Sequence, residues 1–337
     1  MSKILVTGGL GFIGSHTVVE LQNAGFDVII IDNLSNASIK VLEGIVSITG
    51  KTPIFENLDL KDKQVLQSFF KKYNNISGVI HFAASKAVGE SVKSPLLYYE
   101  NNINSLIYLL QQLNKHNSAQ FIFSSSCTVY GQADTLPITE KAPIKPAESP
   151  YGNTKKIGES ILEDLCKANT NFNAIALRYF NPIGAHSSAK IGELPIGTPQ
   201  NLVPFITQTG AGIREQLSVF GDDYPTIDGT CVRDYIHVVD LAKAHVVALQ
   251  RLLNKKNETN FEIFNLGTGT GSSVLEVIKS FERVSNKKLN YKIVERREGD
   301  VIAAFADTKK ANNILGWKAA SSLDDAMLSA WKWQQKL

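Results

Sequence analysis

A glycine-rich loop between the first predicted strand and the first predicted helix restricts the fold more than any other feature. Gly8, Gly11 and Gly14 follow the apolar run Lys3–Thr7 and open a helical pattern over Ile13–Ala24. Glycine permits a tight turn and lets backbone N–H groups approach a pyrophosphate closely, and a helix N-terminus attracts that anion. The loop therefore predicts a Rossmann-type dinucleotide site.

Strand and helix patterns continue to alternate through the first half of the chain. Near-continuous apolar strands separated by helical patterns indicate a parallel sheet covered on both faces. The further predicted strands are Asp27–Asp32, Pro53–Leu58, Gly78–Phe82, Gln120–Ser124 and Asn173–Arg178, and the further predicted helices are Lys61–Tyr73, Leu96–Lys115 and Tyr151–Ala168. We expect an α/β fold with a Rossmann-type doubly wound parallel sheet over residues 1–180.

Beyond residue 180 the pattern loosens into loops that carry glycine and proline. Helices are predicted over Val239–Asn254, Val274–Ser285 and Leu323–Gln334. We interpret residues 181–337 as a smaller C-terminal α/β lobe that mainly binds substrate, with some segments returning to the first domain.

Composition and charge exclude several classes of function. A hydrophobic content of 43% with 20% charged residues is typical of a globular chain with a sizeable core. The net charge of +3 comes without a block of basic residues, so we expect no nucleic-acid partner. Cys127, Cys166 and Cys231 fit neither a disulfide framework nor a zinc site, which predicts no metal and a reducing compartment. No signal peptide or membrane span is visible, so we expect a cytoplasmic protein without a membrane partner.

Two acidic residues follow strands on the dinucleotide side. Asp32 ends the second predicted strand, where a carboxylate accepts the ribose hydroxyls of NAD and repels the 2′-phosphate of NADP. The sequence therefore predicts NAD as the cofactor. Asp59 follows the third strand, and two interpretations remain open, an adenine contact or a helix N-cap.

A serine run and a Tyr–Lys pair complete a candidate catalytic set. The segment FIFSSSCTVYG follows an apolar strand and opens at the carboxyl edge of the sheet, although serines after a strand are often only turn residues. Tyr151 and Lys155 share one face of a predicted helix, a spacing expected about once by chance in this chain. Together with Ser126 they form a Ser/Tyr/Lys set.

Ordered sequence blocks from residue 3 to about residue 334 give a more specific signal than any single motif. Through them the chain resembles the extended short-chain dehydrogenase/reductase family and, within it, the enzymes that epimerise UDP-glucose and UDP-galactose at C4. The blocks are VTGGLGFIGSH, DNLSN, VIHFAASKAVGESV, YYENNI, FSSSCTVYG, SPYGNTK, LRYFNPIGAH, FGDDYPTIDGTCVRDYIHVVDLA, NLGTGTG and RREGD.

The resemblance implies a catalytic sequence that passes through a 4-keto sugar. Tyr151, as phenolate, takes the proton of the 4-hydroxyl while NAD accepts the C4 hydride, and the hydride returns to the opposite face. Lys155 and the nicotinamide ring favour the phenolate. Ser126 hydrogen-bonds the same hydroxyl, whereas Ser124 contacts the cofactor.

The resemblance also assigns binding residues. Further cofactor contacts are expected from Phe12, Ile13, Asn33, Asn36, Asp59, Leu60, Phe82, Lys86, Asn101 and Phe180, and also from the catalytic residues Tyr151 and Lys155. The UDP-hexose substrate is expected to meet Ser126, Tyr151, Asn181, Asn201, Leu202, Phe220, Arg233, Arg297, Asp300 and Ala304. Phe82 and Phe180 are equally compatible with a place in the core, and His81 is predicted to be a packed core histidine. The family further implies a homodimer through helices near 96–115 and 151–168.

Two positions separate the chain from relatives. Sugar-nucleotide 4,6-dehydratases carry an acidic pair where this chain has Cys127 and Thr128, which favours epimerisation over dehydration. Ala304 stands where a bulky Tyr restricts relatives to UDP-glucose and UDP-galactose, so we expect UDP-N-acetylglucosamine and UDP-N-acetylgalactosamine to be accepted as well. The alternatives are another NAD-dependent UDP-sugar enzyme, such as a uronate epimerase or decarboxylase, and a catalytically silent dinucleotide sensor.

Overall fold

The computed structural model describes residues 3–115, 120–297 and 300–337. The chain divides into two compact units. The first contains the residues up to Gly131 together with Pro143–Arg178 and Ala242–Phe264, and the second contains Gln132–Ala142, Tyr179–Leu241 and Asn265–Leu337. Each unit therefore includes a segment from the other half of the chain.

The described strands, numbered in chain order, are β1 (Lys3–Thr7), β2 (Asp27–Asp32), β3 (Ile54–Asn57), β4 (Ile76–His81), β5 (Gln120–Ser124), β6 (Asn173–Tyr179), β7 (Asn181–Ile183), β8 (Leu217–Phe220), β9 (Val232–Arg233), β10 (Tyr235–His237), β11 (Phe261–Leu266), β12 (Ser272–Ser273), β13 (Tyr291–Val294) and β14 (Ala303–Ala304). The α-helices are α1 (Phe12–Asn23), α2 (Lys40–Thr49), α3 (Lys63–Lys72), α4 (Val88–Lys93), α5 (Pro95–Tyr99), α6 (Ser105–Lys115), α7 (Pro150–Ala168), α8 (Leu202–Gly210), α9 (Val238–Leu253), α10 (Val274–Ser285) and α11 (Leu323–Gln334). Two π-helical segments lie at Glu100–Asn104 and Ala311–Leu315, and a 3₁₀ turn lies at Cys127–Tyr130.

The central sheet belongs to the first unit. Its strand order is β11-β6-β5-β4-β1-β2-β3, and β1 pairs in parallel with both β2 and β4. The pairs β2–β3, β4–β5 and β5–β6 are also parallel. From β3 to β6 this is the order of a dinucleotide-binding Rossmann sheet, in which the carboxyl ends of the strands meet at one edge. The predicted fold class is confirmed, and the topology brings the glycine loop, Asp32 and the serine run to that edge.

Several elements have the predicted bounds, and the differences have local causes. Strands β1, β2 and β5 and helices α10 and α11 begin and end where the sequence predicts. Strand β11 was not predicted because Glu262 interrupts its apolar pattern. The structure buries that carboxylate against Arg251, with 2.7 Å from Nε to Oε2.

The helix predicted over Leu96–Lys115 is divided by the π-helical segment Glu100–Asn104. A π turn adds a residue without ending the helix, so the apolar spacing in the sequence does not reveal it. Buried Asn102 lies in this segment, and its side-chain amide donates to the Ser85 carbonyl and to Thr154 Oγ1, both at 3.0 Å. The π segment therefore ties the loop after β4 to helix α7.

Each unit has its own apolar core. In the first unit, strand residues such as Leu5, Ile29 and Phe121 are fully buried together with Leu109 of α6. In the second unit, short parallel pairs β7–β10 and β8–β13 and the three-stranded sheet β12-β9-β14 accompany α8, α10 and α11. Phe281 and Trp331 pack edge to face there, with ring centroids 5.4 Å apart. Burial of each such side chain contributes roughly 1.5–3 kcal/mol.

Candidate active site

The glycine loop forms a turn that excludes side chains. Gly8 has φ of +68°, and a Cβ on it would lie 2.8 Å from the Ala83 nitrogen. A Cβ on Gly14 would clash with the Gly8 carbonyl oxygen, to which the Gly11 nitrogen donates at 3.1 Å. Helix α1 begins at Phe12, and its N-cap residue Gly11 provides no side-chain hydrogen bond. The loop and the helix N-terminus therefore have the form that a pyrophosphate requires.

Asp32 lies beside this loop at the end of β2. Its Oδ2 accepts from the Leu10 nitrogen at 3.1 Å, and its Oδ1 accepts from the Leu34 nitrogen at 3.0 Å. Burial raises the pKa of the carboxyl, and the two backbone hydrogen bonds act in the opposite direction. Each oxygen still has a lone pair for a hydroxyl donor, so the geometry fits a ribose.

Asp59 does not cap a helix. Asp62 is the N-cap of α3 and accepts from the nitrogens of Gln64 and Val65. Asp59 instead accepts from the Lys61 nitrogen at 2.8 Å and from Asn33 Nδ2 at 3.1 Å. The structure therefore places Asn33 and Asp59 together at the ends of β2 and β3, and the N-cap interpretation was wrong.

The other predicted cofactor residues lie in different environments. Asn101 donates from Nδ2 to Ser85 Oγ at 3.0 Å, and half-buried Phe82 lies 4.7 Å from the His245 ring. Leu60 and Ser124 are buried, Phe12 and Ile13 are half-buried, Asn36 and Lys86 are exposed, and in the second unit Phe180 is buried.

Helix α7 presents Tyr151 and Lys155 to the serine run. Ser149 caps the helix by accepting from the Gly152 nitrogen at 3.2 Å, so Tyr151 lies in the first turn. Lys155 Nζ donates to the Ser124 carbonyl at 2.7 Å and lies 5.9 Å from the centre of the Tyr151 ring. Ser126 Oγ accepts from the Thr128 nitrogen at 3.2 Å and thereby begins the 3₁₀ turn. The structure therefore brings the predicted Ser/Tyr/Lys set to one place.

Burial governs the electrostatics of this set. Lys155 is 5% exposed, and desolvation lowers its pKa to about 8, while the Glu159 carboxylate acts in the opposite direction. Burial, with a smaller contribution from Lys155, lowers the pKa of His81 to about 3. His81 Nδ1 lies 2.8 Å from Thr7 Oγ1, so His81 is a neutral core residue, as predicted. Near neutral pH the charge beside Tyr151 is the Lys155 ammonium.

In the second unit, Arg233 and Arg297 converge on one carboxylate. Asp300 Oδ1 lies 2.7 Å from Arg297 Nη2 and 3.6 Å from Arg233 Nη2. The Arg297 guanidinium lies 5.5 Å from the centre of the Phe220 ring. Arg296 pairs instead with Asp223, at 2.7 Å from Nε to Oδ1. Four predicted substrate residues therefore form one cluster of charge and aromatic surface.

The remaining predicted substrate residues lie on strands and at a helix start. Ala304 of β14 pairs with Arg233 of β9, and its carbonyl accepts from the Asp234 nitrogen at 3.0 Å. Asn181 donates from its backbone nitrogen to the Asp234 carbonyl at 2.9 Å. Asn201 is the N-cap of α8, and its Nδ2 donates to the Glu193 carboxylate; Leu202 is the first helical residue.

Sequence reasoning missed a buried polar group beside helix α7. Glu159 and Arg178 form an ion pair with 2.6 Å from Nη2 to Oε2, and Ser125 Oγ also donates to Glu159. The four-residue spacing between Lys155 and Glu159 could have indicated this group, because residues one helical turn apart lie on the same face of a helix.

The described residues include neither a metal cluster nor a membrane-spanning helix. Within residues 3–115, 120–297 and 300–337, no cluster of three or more His, Cys, Asp or Glu side chains is arranged to hold a metal ion. Among the helices described, none combines the length and apolar character of a membrane span.

The fold and the Ser/Tyr/Lys set define a member of the extended short-chain dehydrogenase/reductase class. The family model described as GDP-mannose 4,6 dehydratase matches residues 5–329. A UDP-glucose 4-epimerase of Bacillus subtilis is 51% identical over 331 residues, which covers 98% of this chain and 96% of the relative. The chain belongs to this family and, within it, to the UDP-glucose 4-epimerases.

Solved structures are similar over the same length. The UDP-glucose 4-epimerase of Stenotrophomonas maltophila, with bound NAD and formylated UDP-arabinopyranose, has a TM-score of 0.96 and 47% identity, with coverage of 100% of this chain and 98% of the other. The enzyme of Bifidobacterium longum, in complex with NAD+ and UDP, has a TM-score of 0.95 and 47% identity, with coverage of 99% and 98%.

Proposed function

We propose that the chain catalyses the reversible 4-epimerisation of UDP-glucose and UDP-galactose with bound NAD. The observation that carries this proposal is the buried Lys155 ammonium, which is fixed on the Ser124 carbonyl beside Tyr151 and Ser126. Two UDP-glucose 4-epimerase structures with bound NAD, at TM-scores of 0.96 and 0.95, support the same cofactor and reaction.

The chain's own residues hold the cofactor and move one proton. Gly8, Gly11 and Gly14 leave room for the pyrophosphate, and Asp32 accepts the ribose hydroxyls. Bound NAD supplies a reversible hydride acceptor for C4, which removes the stereocentre. Tyr151 takes the proton of the 4-hydroxyl, and the neighbouring ammonium favours the phenolate form that does so.

The cluster in the second unit is proposed to hold the UDP moiety. Planar guanidinium groups such as those of Arg233 and Arg297 bind phosphate oxygens through paired hydrogen bonds. Asp300 orients both guanidiniums and accepts from ribose hydroxyls, and the Phe220 ring packs against the base. Asn181, Asn201 and Leu202 are further proposed contacts.

Dehydration is disfavoured by the 3₁₀ turn after Ser126. That turn begins with Cys127 and Thr128, and neither side chain supplies the carboxyl acid and carboxylate base that elimination across C5 and C6 requires. The runner-up function, a uronate epimerase or decarboxylase of the same family, lacks a specific observation in its favour.

Mixing the purified protein with UDP-galactose, without added NAD, tests the activity. The 4-epimer should appear, and a preparation that forms no product even after NAD is added would refute the proposal. A preparation that needs added NAD would show only that the cofactor had dissociated.

Ala304 is proposed to widen the substrate range to UDP-N-acetylglucosamine and UDP-N-acetylgalactosamine. Its methyl group leaves space for a 2-acetamido substituent. Ala304→Tyr should lower kcat/KM for UDP-N-acetylgalactosamine about 100-fold or more while retaining UDP-galactose turnover, because a bulky ring in a close-packed pocket leaves no room. Ala303→Tyr is the matched control, since adjacent strand residues face opposite sides. Unchanged N-acetyl turnover in Ala304→Tyr would refute the assignment.

We infer that the chain forms a homodimer in the cytoplasm. At the start of the predicted interface helix near 96–115, Leu96 is 80% and Leu97 46% exposed, and on the adjoining α4 Val92 is 60% and Val88 50% exposed. Exposed apolar side chains close together along the chain are compatible with such an interface. The absence of any disulfide among the described cysteines supports a reducing compartment. Leu96→Glu should yield a monomer in light scattering, whereas Ile227→Glu, at an 89% exposed position, should not.

A further inference from the structure

Glu159 is a buried carboxylate with three hydrogen-bond donors around it. It is 7% exposed and lies one turn after Lys155 in α7. Arg178 donates from Nε to Oε1 at 2.9 Å and from Nη2 to Oε2 at 2.6 Å, and Ser125 Oγ donates to Oε1 at 2.5 Å. Arg178 is itself 3% exposed and donates from Nη1 to the Tyr130 hydroxyl at 2.9 Å. Such a fully paired buried network holds its members in one arrangement.

Helix α7 holds two consecutive residues of the serine run from successive turns. Lys155 binds the carbonyl of Ser124, and Glu159 binds the hydroxyl of Ser125. The next residue is Ser126, whose hydroxyl is proposed to contact the sugar. Because one peptide unit joins Ser125 to Ser126, a rotation of the backbone at Ser125 displaces the Ser126 hydroxyl.

The charges around Lys155 give Glu159 a second effect. Tyr151 and Glu159 face Lys155 from α7, His81 faces it from β4, and Arg178 of β6 is linked to it through Glu159. Burial lowers the Lys155 pKa, and among these groups Glu159 raises it, while His81 stays neutral. Removal of the Glu159 charge would also leave the Arg178 cation unbalanced. Both changes disfavour the Lys155 ammonium.

We propose that Glu159 is a positioning residue for the proposed epimerisation, holding Ser126 in place through Ser125 and keeping Lys155 protonated. The proposal rests on the proposed function of the Ser/Tyr/Lys set. It differs from a purely structural role, in which Glu159 would only neutralise Arg178 and stabilise the fold.

Ser125→Ala separates the two roles because it leaves the Glu159–Arg178 ion pair intact. We expect kcat for UDP-galactose to fall about tenfold, the cost of one hydrogen bond to a charged group, with KM within about twofold of wild type. Bound NAD should be retained, and the melting temperature should fall modestly, because a buried hydrogen bond is lost, but stay well above the assay temperature. In Glu159→Gln, kcat should fall at least as far, and the alkaline limb of the kcat profile should move to lower pH by about one unit.

Glu163→Gln is the matched control, because Glu163 lies one turn further along α7. Its carboxylate pairs with Lys167 at 2.9 Å, and its side chain is 53% exposed. This variant should match wild type in kcat and in pH profile. The double variant that combines Ser125→Ala with Glu159→Gln should have the same kcat as Glu159→Gln alone, because both substitutions disrupt the same hydrogen bond between Ser125 and Glu159.

Each outcome distinguishes the hypotheses. Unchanged kcat in folded, NAD-containing Ser125→Ala overturns the proposal, as does a Glu159→Gln profile that is not shifted. If Glu159→Gln does not fold, kcat of Ser125→Ala decides alone. A wild-type chain without epimerase activity would instead refute the proposed function, whereas active wild type with unaffected variants refutes only the positioning role.

Discussion

Replacing Lys155 with methionine should abolish turnover without a comparable loss of stability. In the folded chain, burial lowers the pKa of Lys155 from 10.5 to about 8. That difference corresponds to roughly 3 kcal/mol by which folding disfavours the ammonium. Methionine removes this cost but leaves the Ser124 carbonyl without its donor, which costs about 1–3 kcal/mol. The free energy of unfolding of Lys155→Met near neutral pH should therefore be within about 2 kcal/mol of wild type.

The same burial gives the wild-type chain a distinctive pH dependence. Between the folded pKa near 8 and the unfolded pKa of 10.5, the unfolded chain binds more protons at this site than the folded chain. Stability therefore rises with pH through this window. From pH 7 to pH 9 the contribution of Lys155 amounts to about 1 kcal/mol. The Lys155→Met variant lacks this pH-dependent contribution to stability.

Urea unfolding of the NAD-free chain at pH 7 and pH 9 measures the difference. Between pH 7 and pH 9, the free energy of unfolding should increase by about 1 kcal/mol more in wild type than in Lys155→Met. The contributions of all other titrating groups are the same in the two proteins and cancel in this difference. Lys156→Met, on the less buried side of the same helix, should behave as wild type. Parallel pH dependences for wild type and Lys155→Met would refute the claim that Lys155 is a desolvated ammonium.

Three further substitutions test other parts of the site. Tyr151→Phe should retain bound NAD, seen on denaturing release, and lose about 100-fold or more of its turnover, because the proton acceptor is gone; undiminished turnover would exclude Tyr151 as the base. Gly14→Ala should lower the melting temperature and weaken NAD binding at least about tenfold in a fluorescence titration, since its Cβ meets the Gly8 carbonyl; wild-type affinity would contradict a tight cradle. Arg297→Leu should raise KM for UDP-galactose by about tenfold or more, whereas Arg296→Leu should not, and equal effects would argue against the assignment.

Much of the first unit was predictable because its signals are local. Strand β1 and the loop after it follow from an apolar run and from glycines at positions that admit no Cβ. The acidic end of β2 follows from the position of Asp32 in the chain. The π segment at Glu100–Asn104 was not predictable, since its apolar spacing is that of an ordinary helix.

The cluster in the second unit shows the limit of local patterns. Only the resemblance to a family indicated Arg233, Arg297 and Asp300, because they lie on short strands and loops without a periodic signal. Their arrangement around one carboxylate depends on the pairing of β9 with β14, which joins residues about 70 positions apart.

The amino-acid sequence alone predicts the Rossmann-type sheet, the glycine cradle, an acidic contact for the ribose and the Ser/Tyr/Lys set. These features depend on residue types at short spacings, where chain geometry leaves few conformations. Only the tertiary structure decided that Lys155 is buried on the Ser124 carbonyl and that Glu159 is held by Arg178 and Ser125. Desolvation and ion pairing are set by which distant strands pack against a helix, and spacing along the chain does not contain that information.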